Sequence, residues 1–106
     1  MTNYKVCVVG GWCGNRMVMV AEHLEDVFGK AGFPCRVTTH SVWENYSQPP
    51  VSNLVLQLLP AFTAAETGCP VINIKPLLLD LDHPPTIEKI FAQVQADFAI
   101  KQHNPA

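Results

Sequence analysis

The sequence has little charge and lacks any long hydrophobic run. Only 15% of the residues are charged, with seven Lys and Arg against nine Asp and Glu. Because the basic residues are spread along the chain, there is no basic stripe of the kind that binds nucleic acid. No apolar run approaches the roughly 20 residues that a membrane-spanning helix needs. We therefore expect neither a nucleic-acid-binding nor a membrane-spanning protein.

Closely paired cysteines are also lacking. The four cysteines are widely spaced with no C-x-x-C pair, and the four histidines do not fall at zinc-ligand spacings from them. We expect no metal and no organic cofactor. The chain does not begin with a charged leader and an apolar segment, so we expect a cytoplasmic protein, in which structural disulfides are rare. The thiols should then either pack in the core or carry out chemistry.

Apolar residues are plentiful, at 48% of the 106 residues. This length and composition predict one domain, residues 1–106, with a packed core and a frayed tail at 101–106.

The first third of the chain has a strand–loop–helix pattern. Residues 5–11 (KVCVVGG) are apolar and β-branched, as in a strand buried on both faces of a parallel sheet. After the loop GGWCGN, apolar residues recur every three or four positions over residues 17–31, which predicts an amphipathic helix. Asn15 is the expected N-cap, and Gly32 follows the expected end.

The rest of the chain predicts three more strands and two helical segments. The strands are expected at residues 33–40, near a sheet edge, and at 52–60 and 69–74; a helical turn is expected at 61–68, an irregular loop at 75–85, and a helix at 86–100 capped by Thr86. Strands interleaved with helices predict an α/β, Rossmann-like fold. We expect a four-stranded parallel sheet in the order 2-1-3-4 with helices on both faces.

The loop after the first strand carries the candidate chemistry. Its glycines let the backbone approach a ligand, and the following helix start offers free N–H groups to an anion such as phosphate. Cys13 stands at this helix start, where thiol pKa values fall, and is the predicted nucleophile. The predicted phosphate-binding residues are Gly10, Gly11, Trp12, Gly14, Asn15 and Arg16. A merely structural glycine loop is the alternative interpretation.

The remaining cysteines are expected to be structural. Cys7 lies within the first strand and should belong to the core, as buried cysteines often do. Cys35 and Cys69 lie near the starts of strands, away from the carboxyl ends where ligands bind in such sheets. His40 ends the second strand, and a lone histidine there is more often polar surface than a ligand.

Several segments together resemble a known family. They are KVCVVGG, MVMVAEHL, GFPCRVTTHSVWENY, SNLVLQLLP, GCPVINI and TIEKIFAQV, and they span roughly residues 4–95. The chain resembles the enzyme IIB components of the bacterial phosphoenolpyruvate-dependent sugar phosphotransferase system (PTS), nearest to the galactitol-specific and lactose-cellobiose-like types. The resemblance implies a small parallel α/β domain that carries a phosphoryl group on a cysteine after the first strand.

The resemblance also implies partners and a site. A phosphohistidine on the IIA component would donate the group, and sugar at the membrane IIC component would accept it, so contact with a membrane is peripheral. A monomer is expected. Without gaps, the family's cysteine falls on Gly10, and the nearest loop cysteine is Cys13, to which the role is assigned. The amides of Gly14 and Asn15 and the Arg16 side chain would hold the phosphate.

Two alternatives remain open. A glycine at the family's cysteine position also fits a IIB-like interaction or regulatory module without phosphocarrier chemistry. WCGNRM resembles the thioredoxin active-site run with Arg16 in place of the resolving cysteine, which implies a monothiol redox protein. A tyrosine-phosphatase loop is disfavoured, because it needs an arginine where this chain has Met19.

Overall fold

The computed structural model describes residues 4–11, 14–33, 35–42 and 51–103, without the side chains of residues 14, 15 and 98–103. The elements alternate along the chain as an α/β fold. In order they are β1 (Lys5–Gly10), α1 (Gly14–Lys30), β2 (Arg36–Ser41), β3 (Leu54–Gln57), α2 (Ala64–Thr67), β4 (Val71–Asn73), a 3₁₀ helix (Lys75–Leu78) and α3 (Pro84–His103).

The four strands form one parallel sheet in the order β2-β1-β3-β4, as predicted. In this sheet Val6 of β1 pairs with Val37 of β2 on one side and with Leu54 of β3 on the other. β1 is therefore an inner strand. Its residues from Val6 to Gly10 are all buried, which explains why its sequence is an unbroken apolar run rather than an alternating one.

The larger core lies on the face of the sheet covered by α1 and α3. Side chains of β1 and β3 pack there against the apolar stripe of α1 and against α3; the buried members are Tyr4, Val6, Val8, Met17, Val20, Ala21, Leu24, Phe28, Leu54, Leu56, Leu58, Ile74, Leu77, Ile90 and Val94. Phe91 of α3 packs against Phe28 of α1 and against Phe33, with ring centroids 5.9 and 5.8 Å apart. The predicted helical periodicity of α1 is confirmed.

A smaller core lies on the opposite face. Cys7, Val9 and Val55 pack there with Phe62, while the flanking Cys69 contacts the same cluster. α2 lies between Phe62 and Cys69 in the chain and so belongs to this face, although none of its own residues is buried. Helices therefore lie on both faces, with the two long ones on the same side.

Both predicted helix caps are wrong. Asn15 is a helical residue, because α1 begins at Gly14. Thr86 is the third residue of α3, which begins at Pro84; it is buried, and its Oγ1 lies 2.7 Å from Nδ1 of His83. A proline suits the first turn of a helix because the N–H group that it lacks has no partner there.

Two segments are more ordered than the sequence predicts. Within the expected irregular loop, Lys75–Leu78 forms a 3₁₀ helix, which has Pro76 in its first turn and Leu77 buried. α3 reaches His103 and so includes part of the tail that was expected to fray. β2 is shorter than predicted and begins at Arg36.

A buried tyrosine ties the start of β1 to α3. The Tyr4 hydroxyl donates to Oδ2 of Asp97 at 2.6 Å, and Nε2 of Gln93 donates to Oδ1 of the same carboxylate at 3.1 Å. Burial, and then the hydrogen bond and charge of Asp97, raise the pKa of Tyr4. The neutral phenol is therefore the form that the fold stabilises.

We expect Tyr4→Phe to lower the free energy of unfolding at pH 7 by about 1–2 kcal/mol, since it removes a hydrogen bond to a charged group. Above about pH 10 the tyrosine ionises in the unfolded chain but not in the folded one, so the wild type loses stability as pH rises. The variant lacks this loss. Urea unfolding from pH 8 to 11 should show the difference between the two proteins narrowing; a constant difference would contradict the assignment.

Candidate functional site

The connection between β1 and α1 lies at the carboxyl edge of the sheet. It spans only residues 11–13, because β1 ends at Gly10 and α1 begins at Gly14. From β1 the chain first passes outward to β2 and then returns to β3 on the other side of β1. Parallel α/β sheets bind ligands at the carboxyl ends of the strands where the connections change direction in this way. The fold thus places the β1–α1 connection at the edge where sheets of this kind bind ligands.

Gly10 has a packing role at this edge. It is buried, and its carbonyl oxygen accepts a hydrogen bond from the Val42 N–H at 2.9 Å. A Cβ atom built on Gly10 would lie 2.9 Å from Sδ of Met17 and 3.3 Å from Cβ of Met17. The missing side chain therefore allows the first turns of α1 to pack on the end of β1. It also means that a cysteine here would have to displace Met17.

The other predicted loop residues are only partly described. Gly11 is half-buried at the start of the connection, while Trp12 and Cys13 lie outside the described residues. Gly14 and Asn15 are the first two residues of α1. The first N–H groups of an α-helix have no partner within the helix, so these two amides are donors at the helix N-terminus.

Arg16 is exposed, and its side chain contacts a residue that is distant in the sequence. Its Nη1 donates to the Leu78 carbonyl oxygen at 3.3 Å, a contact between residues 62 positions apart. No carboxylate among the described residues lies within ion-pair distance of this guanidinium. None of the described residues pairs with its other N–H donors.

Residues 75–83, here called the strap, run alongside α1. The strap contacts α1 through the hydrogen bond of Arg16 to Leu78 and again through His23, whose Nε2 lies 2.7 Å from Oδ1 of Asp82. Between α1 and the strap is a cavity of about 380 Å³. It is lined by Arg16, Met19, Val20, Leu77, Leu78, Leu79 and Leu81. Sequence reasoning missed this cavity.

The described cysteines are packed in the structure as the sequence predicts. Cys7 is a buried residue of β1; burial raises the pKa of its thiol, and a hydrogen bond with Thr38 partly offsets this effect. Cys35 is half-buried against the larger core, and burial raises its pKa to about 11. Cys69 is half-buried, with its Sγ 3.5 Å from Oγ1 of Thr67. Cys7 and Cys35 are therefore poor nucleophiles at neutral pH.

His40 lies at the same edge as the loop. Its ring packs edge-on against Phe62, with ring centroids 5.7 Å apart. The side chain of Gln57, at the end of β3, is also held by the fold, because its Oε1 accepts from the N–H groups of Ala61 and Phe62 at 3.3 and 3.1 Å. Both polar side chains thus contribute to the packing of the smaller core.

Within the described ranges, no three His, Cys, Asp or Glu side chains are grouped so that they could hold a metal ion. None of the described helices is both long and apolar enough to cross a membrane.

Comparisons of the chain with protein-family models, with curated proteins and with solved structures found no match. Its function is therefore argued from the site and from the resemblance described above.

Gly10→Ala tests the close packing of α1 on β1. We expect it to lower the free energy of unfolding by about 1–3 kcal/mol, because the added methyl group displaces the Met17 side chain. Gly29→Ala is the matched control, since Gly29 is helical and a Cβ there meets nothing within 4 Å. That change should raise the free energy of unfolding by about 0.5–1 kcal/mol. Urea denaturation measures both, and equal effects would refute the packing role.

Proposed function

We propose that this chain is a cytoplasmic phosphoryl carrier of the sugar PTS, a IIB-like protein that uses Cys13 as its nucleophile. The observation that carries the proposal is the position of the β1–α1 connection. Gly10 ends β1, an inner strand of the 2-1-3-4 parallel sheet, and Gly11 follows it. Cys13 directly precedes Gly14, the first residue of α1. A helix N-terminus favours both a thiolate and a bound phosphate.

The proposed reaction has two phosphoryl transfers. The Cys13 thiolate attacks the phosphorus of the IIA phosphohistidine, an S–P bond forms, and the P–N bond breaks with its electron pair returning to the imidazole. A sugar hydroxyl at the IIC component then attacks the same phosphorus and breaks the S–P bond. The thiolate is regenerated, and the hydroxyl proton passes to a base on the transporter.

Residues of the first turn of α1 would hold the transferred group. The amides of Gly14 and Asn15 would donate to the phosphoryl oxygens, as N–H groups at a helix start do for anions. Arg16 keeps N–H donors beyond the one bonded to Leu78, and a charge-assisted bond from it would stabilise the thiophosphate. Trp12 and the rim of the loop would contact the IIA partner.

A non-catalytic IIB-like module is the second candidate, and one observation favours it. The position matched to the family's cysteine is Gly10, where Met17 occupies the space that a side chain would need. The scaffold could thus have kept its docking role without the chemistry. A thioredoxin-like protein is less well supported, because the described strands all pair in parallel whereas that fold usually ends in antiparallel strands.

Intact-mass measurement separates the carrier from the module. The protein is incubated with phosphoenolpyruvate, the general phosphotransfer proteins and several IIA components. We expect a gain of one phosphate that is abolished in Cys13→Ser and kept in the matched control Cys35→Ser. No gain with any IIA component would reject the carrier and leave the module.

Alkylation kinetics test the activated thiol. Iodoacetamide should modify Cys13 at pH 7 faster than Cys35, whose rate should rise only as the pH approaches its pKa of about 11. Peptide mapping of a time course from pH 6 to 10 gives the rate at each cysteine. If Cys13 reacted as slowly as Cys35 and with the same pH dependence, the loop would not activate its thiol.

A further inference from the structure

The cavity between α1 and the strap has the size and the chemistry of a small-molecule site. At about 380 Å³ it falls within the range of roughly 300–1,000 Å³ that is typical of ligand pockets. Of the seven described side chains that line it, six are apolar and the seventh is Arg16. One cation at the edge of an apolar wall is the arrangement that fits an apolar molecule with an anionic head.

The walls of the cavity are held in place without a ligand. Leu77 is 1% exposed and anchors the strap in the larger core. Beyond Leu77 along the strap, the Arg16–Leu78 hydrogen bond and the 2.7 Å contact between His23 Nε2 and Asp82 Oδ1 join the strap to α1. Binding therefore requires little ordering of the protein, which favours affinity.

The apolar wall is unusually open to solvent. Leu79 is 94% exposed and Met19 is 55% exposed, although both line the cavity. Large apolar side chains that remain exposed together mark binding surfaces. A ligand with an alkyl chain or a ring would cover them.

The charges around the cavity select the sign of the ligand. The strap carboxylates of Asp80 and Asp82 are not among the described lining residues of the cavity; Oδ1 of Asp80 accepts from the Asp82 N–H at 3.1 Å, and Oδ1 of Asp82 lies 2.7 Å from Nε2 of His23. Arg16 has no carboxylate partner among the described residues, and its guanidinium donates to a backbone carbonyl only. An anion is therefore the complementary ligand.

We infer that this cavity binds a small amphipathic anion, with its apolar chain against the leucines of the strap and its carboxylate on Arg16. The size of the cavity suits a medium-length alkyl or aromatic carboxylate rather than a protein surface. This site does not require Cys13, but it shares Arg16 with the proposed phosphate-binding residues, so a bound carboxylate and a phosphoryl group would compete for that guanidinium.

Three eight-carbon probes test the inference, namely octanoate, octanol and octylammonium. Titrations are followed by ¹H–¹⁵N NMR on the full chain. Octanoate should shift the amide signals of residues 16–20 and 77–81 and bind about tenfold more tightly than octanol, since a hydrogen bond to a charged group adds to the same apolar contact. Octylammonium should bind more weakly than either. Equal binding of octanoate and octanol, no binding, or shifts confined to other regions would each overturn the inference.

Four variants test where the anionic head and the apolar chain of the ligand bind. Arg16→Gln should lower octanoate affinity about tenfold, to that of octanol, and Arg16→Lys should recover part of the loss. Met19→Ser should weaken octanoate and octanol alike. Val18→Ser is the matched control, because Val18 is 44% exposed on the same helix but does not line the cavity. If Val18→Ser weakened binding as much as Met19→Ser, or if Arg16→Gln left octanoate binding unchanged, the site would be wrong.

Discussion

The packing of α1 on β1 is the contact on which the rest of this structure depends. Gly10 has no side chain, so Met17 lies directly against the end of β1, and Val20, Leu24 and Phe28 continue the contact along the helix. The connection between the two elements is three residues long and leaves the first turn of α1 little freedom. The same contact therefore sets the larger core, the start of α1 and the position of Arg16 beside the strap.

Most of the fold could be predicted, because it follows from two simple periodicities. The unbroken apolar run of β1 indicates a strand buried on both faces, and the three-and-four spacing along α1 indicates a helix with one buried face. Alternating strands and helices predict a parallel sheet, and its predicted order 2-1-3-4 is confirmed. The helix starts could not be predicted from side-chain preferences. α3 begins with Pro84 rather than at Thr86. Pro76, within the segment predicted to be an irregular loop, lies in the first turn of a 3₁₀ helix, where proline is tolerated.

The candidate loop could be found from the sequence, whereas the cavity could not. Glycines between a strand and a helix are a local signal, but the contact of Arg16 with Leu78 joins residues 62 positions apart and leaves no local pattern. One signal was present in the run Leu77–Leu78–Leu79. A 3₁₀ helix has about three residues per turn, so three consecutive leucines point in different directions and cannot all face one core. Leu77 is buried while Leu79 is 94% exposed.

The shortness of β4 has a consequence for local opening. β4 has three residues and, among the described strands, pairs with β3 alone, so its few ladder hydrogen bonds hold it weakly. The strap directly follows β4 in the chain. It is bonded to α1, which packs on β1, the strand on the other side of β3 from β4. β4 is therefore expected to open less readily than its pairing with β3 alone would allow, because the strap that continues it is bonded to α1. The contacts of the strap with α1 thus add to the local stability of this three-residue edge strand, which its own pairing with β3 could not provide.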